Sequence, residues 1–265
     1  MVQIDQEQRT HYTSQTKAKR AKRKKQARQR LLILISIVFI LGFLLGLLVG
    51  SKKDHTLNFT MEPNETETVS ALNQDLPWNL TLVNFQYALE KDFIPQDLSP
   101  LNADYSVDSR ILDAAKDMIY TALAEDVNIT IVSAYRDYDR QRDLFDNKVQ
   151  RLLDEENYSV DKAREEASKV VAYPGTSEHQ LGLALDLVDS DHRELDESQE
   201  NTDAYQWLKE HCHEYGFIVR YPNGKTDITG IIYEPWHFRY VGEEAAKIIM
   251  KKGITLEEYL KDYDY

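Results

Sequence analysis

Cysteine is almost absent from this chain, which has a single one, Cys212, among 265 residues. A lone thiol cannot form an internal disulfide, so the folded part must be held together by its core, unlike small secreted scaffolds. The cysteines of the usual structural zinc sites are missing as well. We therefore interpret Cys212 as a residue packed within a helix. The chain also lacks an internal repeat, and its length suits one globular domain with an anchor and a tail.

Charge is absent from residues 31–50, a run of twenty residues with one serine and no other strongly polar side chain. At a rise of 1.5 Å per residue, a helix of this length spans roughly 30 Å, the hydrocarbon thickness of a bilayer. Residues 1–30 carry ten Lys/Arg and two Asp/Glu, whereas the remaining 235 residues carry a net charge of about −21. The positive-inside rule places residues 1–30 in the cytoplasm and the acidic part outside the cell membrane.

Two further absences concern the region around this apolar run. A cleaved signal peptide is the alternative to a membrane anchor, but no A-x-A-like cleavage site follows. The absence of a cysteine after the run argues against a lipoprotein. A nucleic-acid partner is not expected, because the basic residues precede the folded domain instead of lying on it. The predicted organisation is a basic cytoplasmic tail (1–30), a transmembrane signal-anchor (31–50), a flexible extracytoplasmic linker (51–76) and a folded domain (77–265).

Hydrophobic periodicity in the folded domain predicts an α+β protein, because helices and short strands occur without a β-α-β rhythm. The segment 155–169 is either a further helix or a mobile insertion. Gly216 suits the C-cap of a predicted helix that ends at residue 215. The predicted helices cover residues 109–125, 137–154, 205–215 and 242–252, with a short one near Leu256. The predicted strands cover residues 127–133, 183–188, 231–233 and 238–241.

Two segments of the sequence contain side chains suited to metal chemistry. In the first, Asp186 follows His179 by seven residues and interrupts an apolar strand. A lone carboxylate there is costly unless it is paired, and a metal is a good partner. The second segment contains Glu234 and His237. Two imidazoles and one aspartate leave a fourth position open for water, as a catalytic zinc requires, and Glu234 is near enough to act as its general base.

Each of these four residues also has a structural explanation when it is considered alone. His179 could be a hydrogen-bonded loop histidine, and Asp186 a buried partner of an arginine or a helix cap. Glu234 and His237 could be surface residues beside a turn. Their joint occurrence, each beside glycine, proline or aromatic residues, favours the metal site.

A wider set of motifs in the same order supports this interpretation by resemblance. Over residues 77–255 the chain resembles the VanY-type D-alanyl-D-alanine carboxypeptidases of the M15 metallopeptidase family, which include the L,D-carboxypeptidases of the LdcB and DacB kind. The motifs that carry the resemblance are Ser-Ala-Tyr-Arg at 133–136, Gln141, Gly-Thr-Ser-Glu-His at 175–179, Gly-Leu-Ala-Leu-Asp at 182–186 and Glu-Pro-Trp-His-Phe-Arg-Tyr-Val at 234–241.

The resemblance implies a fold and a metal. The family fold is a small antiparallel sheet flanked by helices, with zinc in a cleft beside it. By matching position, one Zn²⁺ ion would be held by His179, Asp186 and His237. Glu234 would be the general base.

The resemblance also implies how a peptide would be bound. Arg136 would polarise the scissile carbonyl and stabilise the oxyanion, since a guanidinium supplies fixed positive charge; the alternative is that it clamps the terminal carboxylate. Ser177 and Gln141 would hold that carboxylate, although Gln141 could instead be an exposed helix residue. Trp236 either packs beneath the metal loop or contacts the substrate.

The substrate implied is a peptidoglycan stem peptide, from which the terminal D-Ala would be released. An acidic domain tethered outside the membrane would be placed where cell wall is found in a bacterium. Removal of D-Ala from a D-Ala-D-Ala pentapeptide and from a tetrapeptide ending in Lys-D-Ala both remain open. The alternative from another class is a catalytically silent zinc module that binds cell-wall peptides.

Overall fold

The computed structural model of this chain describes residues 67–68 and 76–261. The predicted tail (1–30), signal-anchor (31–50) and most of the predicted linker (51–76) lie outside the described residues. No helix in the described part combines the length and the apolar character that crossing a membrane requires. Within the predicted linker, Glu67–Thr68 form a short strand that pairs in parallel with Tyr87–Ala88.

The described part is a mixed fold in which helices surround small sheets. The strands are β1 (Glu67–Thr68), β2 (Tyr87–Ala88), β3 (Leu98–Pro100), β4 (Ser106–Asp108), β5 (Ile129–Ser133), β6 (Ala184–Asp189), β7 (Phe217–Tyr221) and β8 (Glu234–Tyr240). The α-helices are α1 (Leu112–Ala124), α2 (Tyr138–Glu156), α3 (Val160–Ser168), α4 (Asp203–His211), α5 (Thr226–Thr229), α6 (Glu243–Lys252) and α7 (Leu256–Lys261). Short 3-10 helices cover Trp78–Leu80, Ser109–Ile111, Glu178–Leu181, Glu197–Asn201 and Cys212–Tyr215.

The main sheet has four antiparallel strands in the order β5-β6-β8-β7. The side chains of β6 alternate between the two faces of the sheet. Leu185 and Leu187, together with Leu183 just before the strand, enter the main core, whereas Asp186 lies on the opposite face, as expected from the period of two. The pairing of β6 with β8 sets Asp186 directly opposite His237. Register shifts occur in β5 near Ser133 and in β7 near Tyr221. Such irregularities change the direction of side chains and are common next to active sites.

One face of the main sheet is covered by α1 and α4. Helix α1 buries residues at helical spacing, and α4 contributes Trp207 and Leu208 to the same core. Cys212 is fully buried in this core, which confirms that it is a packed residue, and burial raises the pKa of its thiol. The side chains from α1 in the core are Ala115, Met118 and Ala122.

Helices α2 and α3 form a separate hairpin with its own small core. Asp137 caps α2 by accepting a hydrogen bond from the backbone N of Arg140 at 2.7 Å. The chain leaves α2 through Asn157 in the left-handed conformation, and Ser159 then caps α3. The segment 155–169 is thus largely helical, which confirms the first of its two predicted alternatives, a further helix. Phe145, Val149, Ala163 and Ala167 pack between the two helices.

The structure confirms the mixed fold with small antiparallel sheets, but it differs from the sequence prediction at several strands: β1 to β4 and β7 were not predicted, and one predicted strand is absent. Residues 231–233 are not a strand; β8 instead runs from Glu234 through Pro235 to Tyr240. Proline is tolerated there because β6 pairs only with residues from His237 onward, so no ladder bond from residue 235 to β6 is lost. Strand β7 was missed, although its β-branched and aromatic residues follow a C-cap glycine, because Arg220 interrupts the apolar run.

Gly182 generates a prediction about stability. It has φ +69°, and a Cβ there would lie 2.8 Å from the backbone N of Asp108. Gly224 has a similar φ of +76°, but a Cβ there would meet nothing within 4 Å. A left-handed non-glycine residue costs about 1–2 kcal/mol. We expect Gly224→Ala to lose about that free energy of unfolding, and Gly182→Ala to lose clearly more.

Urea unfolding of the two variants and the wild type measures the difference. Equal losses for Gly182→Ala and Gly224→Ala would mean that the backbone at Asp108 yields to the added methyl group. The close approach would then not constrain the segment that leads from His179 into β6.

Candidate active site

Three buried side chains converge from separate elements onto one point. His179 lies on the 3-10 helix Glu178–Leu181, Asp186 on β6 and His237 on β8. One potential ligand atom from each lies within 4.8 Å of the others. His179 Nε2 is 3.2 Å from Asp186 Oδ2, and His237 Nδ1 is 3.1 Å from Asp186 Oδ1. The structure therefore brings together the three residues predicted as zinc ligands.

The hydrogen bonds of His179 show that this cluster suits a cation. Its Nδ1 is 2.7 Å from the carbonyl oxygen of Ala134, an acceptor, so Nδ1 carries the proton. Nε2 must then carry a lone pair in the neutral ring, and it is buried without a hydrogen-bond partner. It faces a carboxylate oxygen of Asp186. Two electron-rich atoms at this distance repel unless a positive ion lies between them, so the residues fit a metal.

The electrostatics of the ligands agree with this fit. Burial, assisted by the charge of Arg136, lowers the pKa of His179 to about 4, so this ring is neutral at pH 7. Burial also disfavours a charged His237, but hydrogen bonds to Asp186 and Glu178 outweigh it and raise its pKa to about 9. Without a metal, His237 thus balances the buried Asp186 with a proton. A metal ion would replace that proton, because an imidazole must be deprotonated to be a ligand.

Glu234 and Arg136 lie beside the cluster of His179, Asp186 and His237 but are not part of it. Glu234, the first residue of β8, has a carboxylate oxygen 3.9 Å from His237 Nδ1, beyond hydrogen-bond distance. Burial raises the pKa of Glu234 to about 8, against the opposing effect of His237. Arg136 approaches Asp186 Oδ2 to 3.9 Å, and its buried Nε has no partner. Burial lowers the pKa of Arg136, yet a guanidinium remains charged at neutral pH.

A cavity of about 220 Å³ connects all the predicted site residues. Gln141 is buried rather than exposed on its helix: Nε2 donates to the carbonyl oxygen of Ala172 at 2.7 Å, and Oε1 has no partner. Trp236 is largely buried and also lines the cavity, so it both packs and faces the space for a ligand. The seven predicted site residues on the cavity wall are Arg136, Gln141, Ser177, His179, Asp186, Glu234 and His237.

Two residues with no role predicted from the sequence, Tyr221 and Glu178, contact His237. The ring of Tyr221 lies 4.8 Å from the imidazole, centroid to centroid, and Glu178 Oε2 lies 3.4 Å from its Nε2. Glu178 is part of the Ser-Glu-His motif, but nothing in the local sequence shows that it is buried. Its cationic partners, Arg220 and Arg239, are distant along the chain.

Asp186→Asn tests the cation site. The amide keeps the shape but removes the charge that both imidazoles face, so we expect affinity for Zn²⁺ to fall at least about 100-fold, the upper end of changes caused by outer-shell residues. Asp189→Asn is the control, because Asp189 ends the same strand and is hydrogen-bonded locally to the backbone N of Asp191. Competition with a chromophoric chelator measures both. Similar affinities for the two variants would contradict the assignment of Asp186.

Comparison with known proteins identifies the family. The family model described as VanY: D-alanyl-D-alanine carboxypeptidase matches residues 104–243. The D-alanyl-D-alanine carboxypeptidase of Enterococcus faecalis is 39% identical over 200 residues, covering 75% of this chain and 72% of the relative.

Two solved structures are similar over most of the described part. One is a mutant of the vancomycin resistance D,D-pentapeptidase VanY in complex with Zn(II), with 39% identity and a TM-score of 0.63, covering 69% of this chain and 99% of that one. The other is the LdcB LD-carboxypeptidase, with 40% identity and a TM-score of 0.62, covering 71% and 88%. These matches confirm the resemblance carried by the motifs: the chain belongs to the VanY D-alanyl-D-alanine carboxypeptidase family of metallopeptidases.

Proposed function

We propose that this protein is a zinc-dependent carboxypeptidase that removes the C-terminal D-Ala from peptidoglycan stem peptides. The observation that carries the proposal is the convergence of His179, Asp186 and His237 on one cavity beside a buried carboxylate and a buried guanidinium. The VanY structure contains Zn(II), and the LdcB structure is described as revealing the basis of peptidoglycan recognition. A catalytically silent binding module would need neither Glu234 nor Arg136 beside the ligands.

The ion would be held by Nε2 of His179, by Asp186 and by His237. Zinc bound there supplies Lewis-acid chemistry, polarising a carbonyl oxygen and lowering the pKa of water. The protein's contribution is a dry, rigid site: the three ligands are buried, and Ala134 fixes the tautomer of His179. Asp186 provides the negative charge that keeps a divalent ion in a site otherwise made of neutral rings.

Glu234 is suited to moving a proton during hydrolysis. It lies next to the ligands but is not one of the cluster of three. Its raised pKa makes the carboxylate a stronger base than an exposed glutamate, so it can take a proton from water and give it to the departing amine. Arg136 lines the same cavity as a fixed cation, and it would stabilise the oxyanion that forms on the scissile carbonyl.

Two further residues of the cavity wall, Ser177 and Gln141, suit an exopeptidase. Ser177 and Gln141 would hold the terminal carboxylate, through the hydroxyl and through the N–H of Gln141 that Ala172 does not use. The unpartnered Oε1 of Gln141 can also accept a hydrogen bond from a peptide N–H of the substrate. Burial of these groups makes a longer peptide, which continues beyond this point, a poor fit.

Hydrolysis of defined muropeptides tests the proposal. Purified protein is incubated with a pentapeptide ending in D-Ala-D-Ala and a tetrapeptide ending in Lys-D-Ala, and mass spectrometry identifies the products. We expect loss of one terminal D-Ala from at least one of them, abolition by a chelator, and recovery with Zn²⁺. Zinc binding with no product from either peptide would favour the silent module.

Glu234→Gln is the matched catalytic control for this assay. The amide preserves the shape of the side chain and leaves the three ligands intact, so Zn²⁺ affinity should be retained. Turnover should fall by about 10²–10⁴-fold, the usual contribution of a general base. Turnover close to that of the wild type would remove Glu234 from the mechanism.

We also infer that the catalytic domain is tethered to the outer face of the cell membrane by residues 31–50. The apolar length of that run and the preceding basic residues support this arrangement. In a walled bacterium we expect the full-length chain in the membrane fraction, with its domain accessible to external protease. A chain lacking residues 31–50 should be soluble and inside the cell. Release of a shortened chain into the medium would instead support a cleaved signal peptide.

A further inference from the structure

The carboxylate of Glu178 is completely buried behind the metal-ligand cluster, and it touches one of the ligands. We propose that Glu178 is a positioning residue that fixes the orientation and tautomer of His237, so that Nδ1 of this ring is the atom available to the metal. The inference rests on the proposed function, since it concerns how the zinc site is assembled. It assigns no direct contact with the substrate to Glu178.

The two oxygens of Glu178 have different partners. Oε1 accepts hydrogen bonds from Arg220 Nε and from Arg239 Nη1, both at 2.7 Å. Oε2 is left for His237 and lies 3.4 Å from its Nε2. A carboxylate that accepts hydrogen bonds from two guanidinium groups at 2.7 Å is ionised, because both cations favour its charged form. Oε2 can therefore only accept, and Nε2 of His237 must donate.

The proton on Nε2 determines what the other side of the ring can do. In the neutral imidazole that a metal requires, one nitrogen donates and the other has a lone pair, so a proton kept on Nε2 leaves the lone pair on Nδ1 of His237. This nitrogen faces Asp186 Oδ1 at 3.1 Å, inside the ligand cluster. Metal-binding histidines commonly donate their second N–H to a carboxylate, which fixes the ring and raises its basicity as a ligand. Glu178 occupies the position that this arrangement requires.

Glu178 is itself held rigidly by the two arginines. Arg220 Nη1 and Nη2 form a bidentate pair with Glu257 of α7 at 2.8 and 2.7 Å. Arg239 Nη2 donates to the carbonyl oxygens of Asn79 and Thr81 at 3.0 and 2.9 Å. Both arginines are fully buried and lie on neighbouring strands of the main sheet, Arg220 on β7 and Arg239 on β8. The carboxylate therefore has no freedom to turn away from His237.

A purely structural role is the alternative explanation for this cluster. Two buried arginines and two buried glutamates are electrically balanced, but hydrophobic residues of similar volume often stabilise a fold equally well. What hydrophobic residues could not do is to accept the hydrogen bond from Nε2 of His237. The contact with the ligand distinguishes Glu178 from Glu257, which shares the same arginine.

Glu178→Gln in the full-length chain tests the proposal. The amide oxygen must stay with the arginines, because they only donate, so the amide N–H turns toward His237. Nε2 of the ring then has to accept, and the proton moves to Nδ1, where it blocks the metal. We expect Zn²⁺ affinity, measured with the metal alone against a chromophoric chelator, to fall about 10–100-fold.

Glu257→Gln is the matched control, because it also removes one of the two carboxylates on Arg220 but has no contact with the site. We expect it to lower the melting temperature of the metal-free protein, as Glu178→Gln also does, and to leave Zn²⁺ affinity unchanged. Equal weakening of zinc binding in both variants would show that general stability is responsible. Wild-type affinity in Glu178→Gln would also overturn the proposal.

The wild-type protein provides a test that does not depend on either variant folding. Long-range ¹H–¹⁵N spectra of histidine-labelled, zinc-loaded protein report which ring nitrogen carries a proton. We expect Nε2 of His237 to be protonated and Nδ1 to be bound to the metal. The reverse assignment refutes the role of Glu178 while leaving the proposed function intact. Zinc binding by Nδ1 without peptide cleavage would contradict only the proposed function.

Discussion

The burial of the Asp186 carboxylate between two imidazoles is the constraint on which the rest of this structure depends. Strand pairing between β6 and β8 sets Asp186 opposite His237, and the 3-10 helix before β6 brings His179 to the other carboxylate oxygen. A buried charge is stable only with a counter-charge or hydrogen bonds. In this chain that requirement is met by a proton on His237 or by a metal ion, which couples folding of the sheet to occupancy of the site.

Two neighbouring groups of buried charges differ in how far this need for a counter-charge or hydrogen bonds is met. Around the cavity, Glu234 has a raised pKa and Arg136 keeps an unpaired Nε, so the polar groups of these two residues are not fully paired within the protein. Behind the ligands, Glu178 is paired with Arg220 and Arg239 through Oε1 and contacts His237 through Oε2. One region is left incompletely satisfied and the other is fully paired, and His237 is the residue that both touch.

The helices contribute by setting the walls of the cavity. The α2–α3 hairpin contributes Gln141 to the cavity wall, as does the segment 170–172 that follows it, and the small core of the hairpin is separate from the main one. Helices α1 and α4 instead cover the far face of the sheet and do not line the cavity.

The sequence by itself determined the chemistry of the site. The spacing of His179 and Asp186, and of Glu234 and His237, indicates metal ligands and a base, because side-chain types and strand periodicity are local properties. Most helices could be predicted for the same reason, as could the C-cap at Gly216. The interpretation of the apolar run at 31–50 as an anchor rests only on hydropathy and flanking charge, and it stays a prediction.

Only the tertiary structure decided which buried charges belong together. Strand β7 was missed because Arg220 makes its sequence resemble a surface segment, and its burial becomes reasonable only when Glu178 and Glu257 are placed beside it. The continuity of β8 through Pro235 depends on which neighbours it pairs with. The tautomer of His237 depends on a carboxylate 59 positions away along the chain. Such contacts are long-range, and a pattern read along the chain contains no information about distances across it.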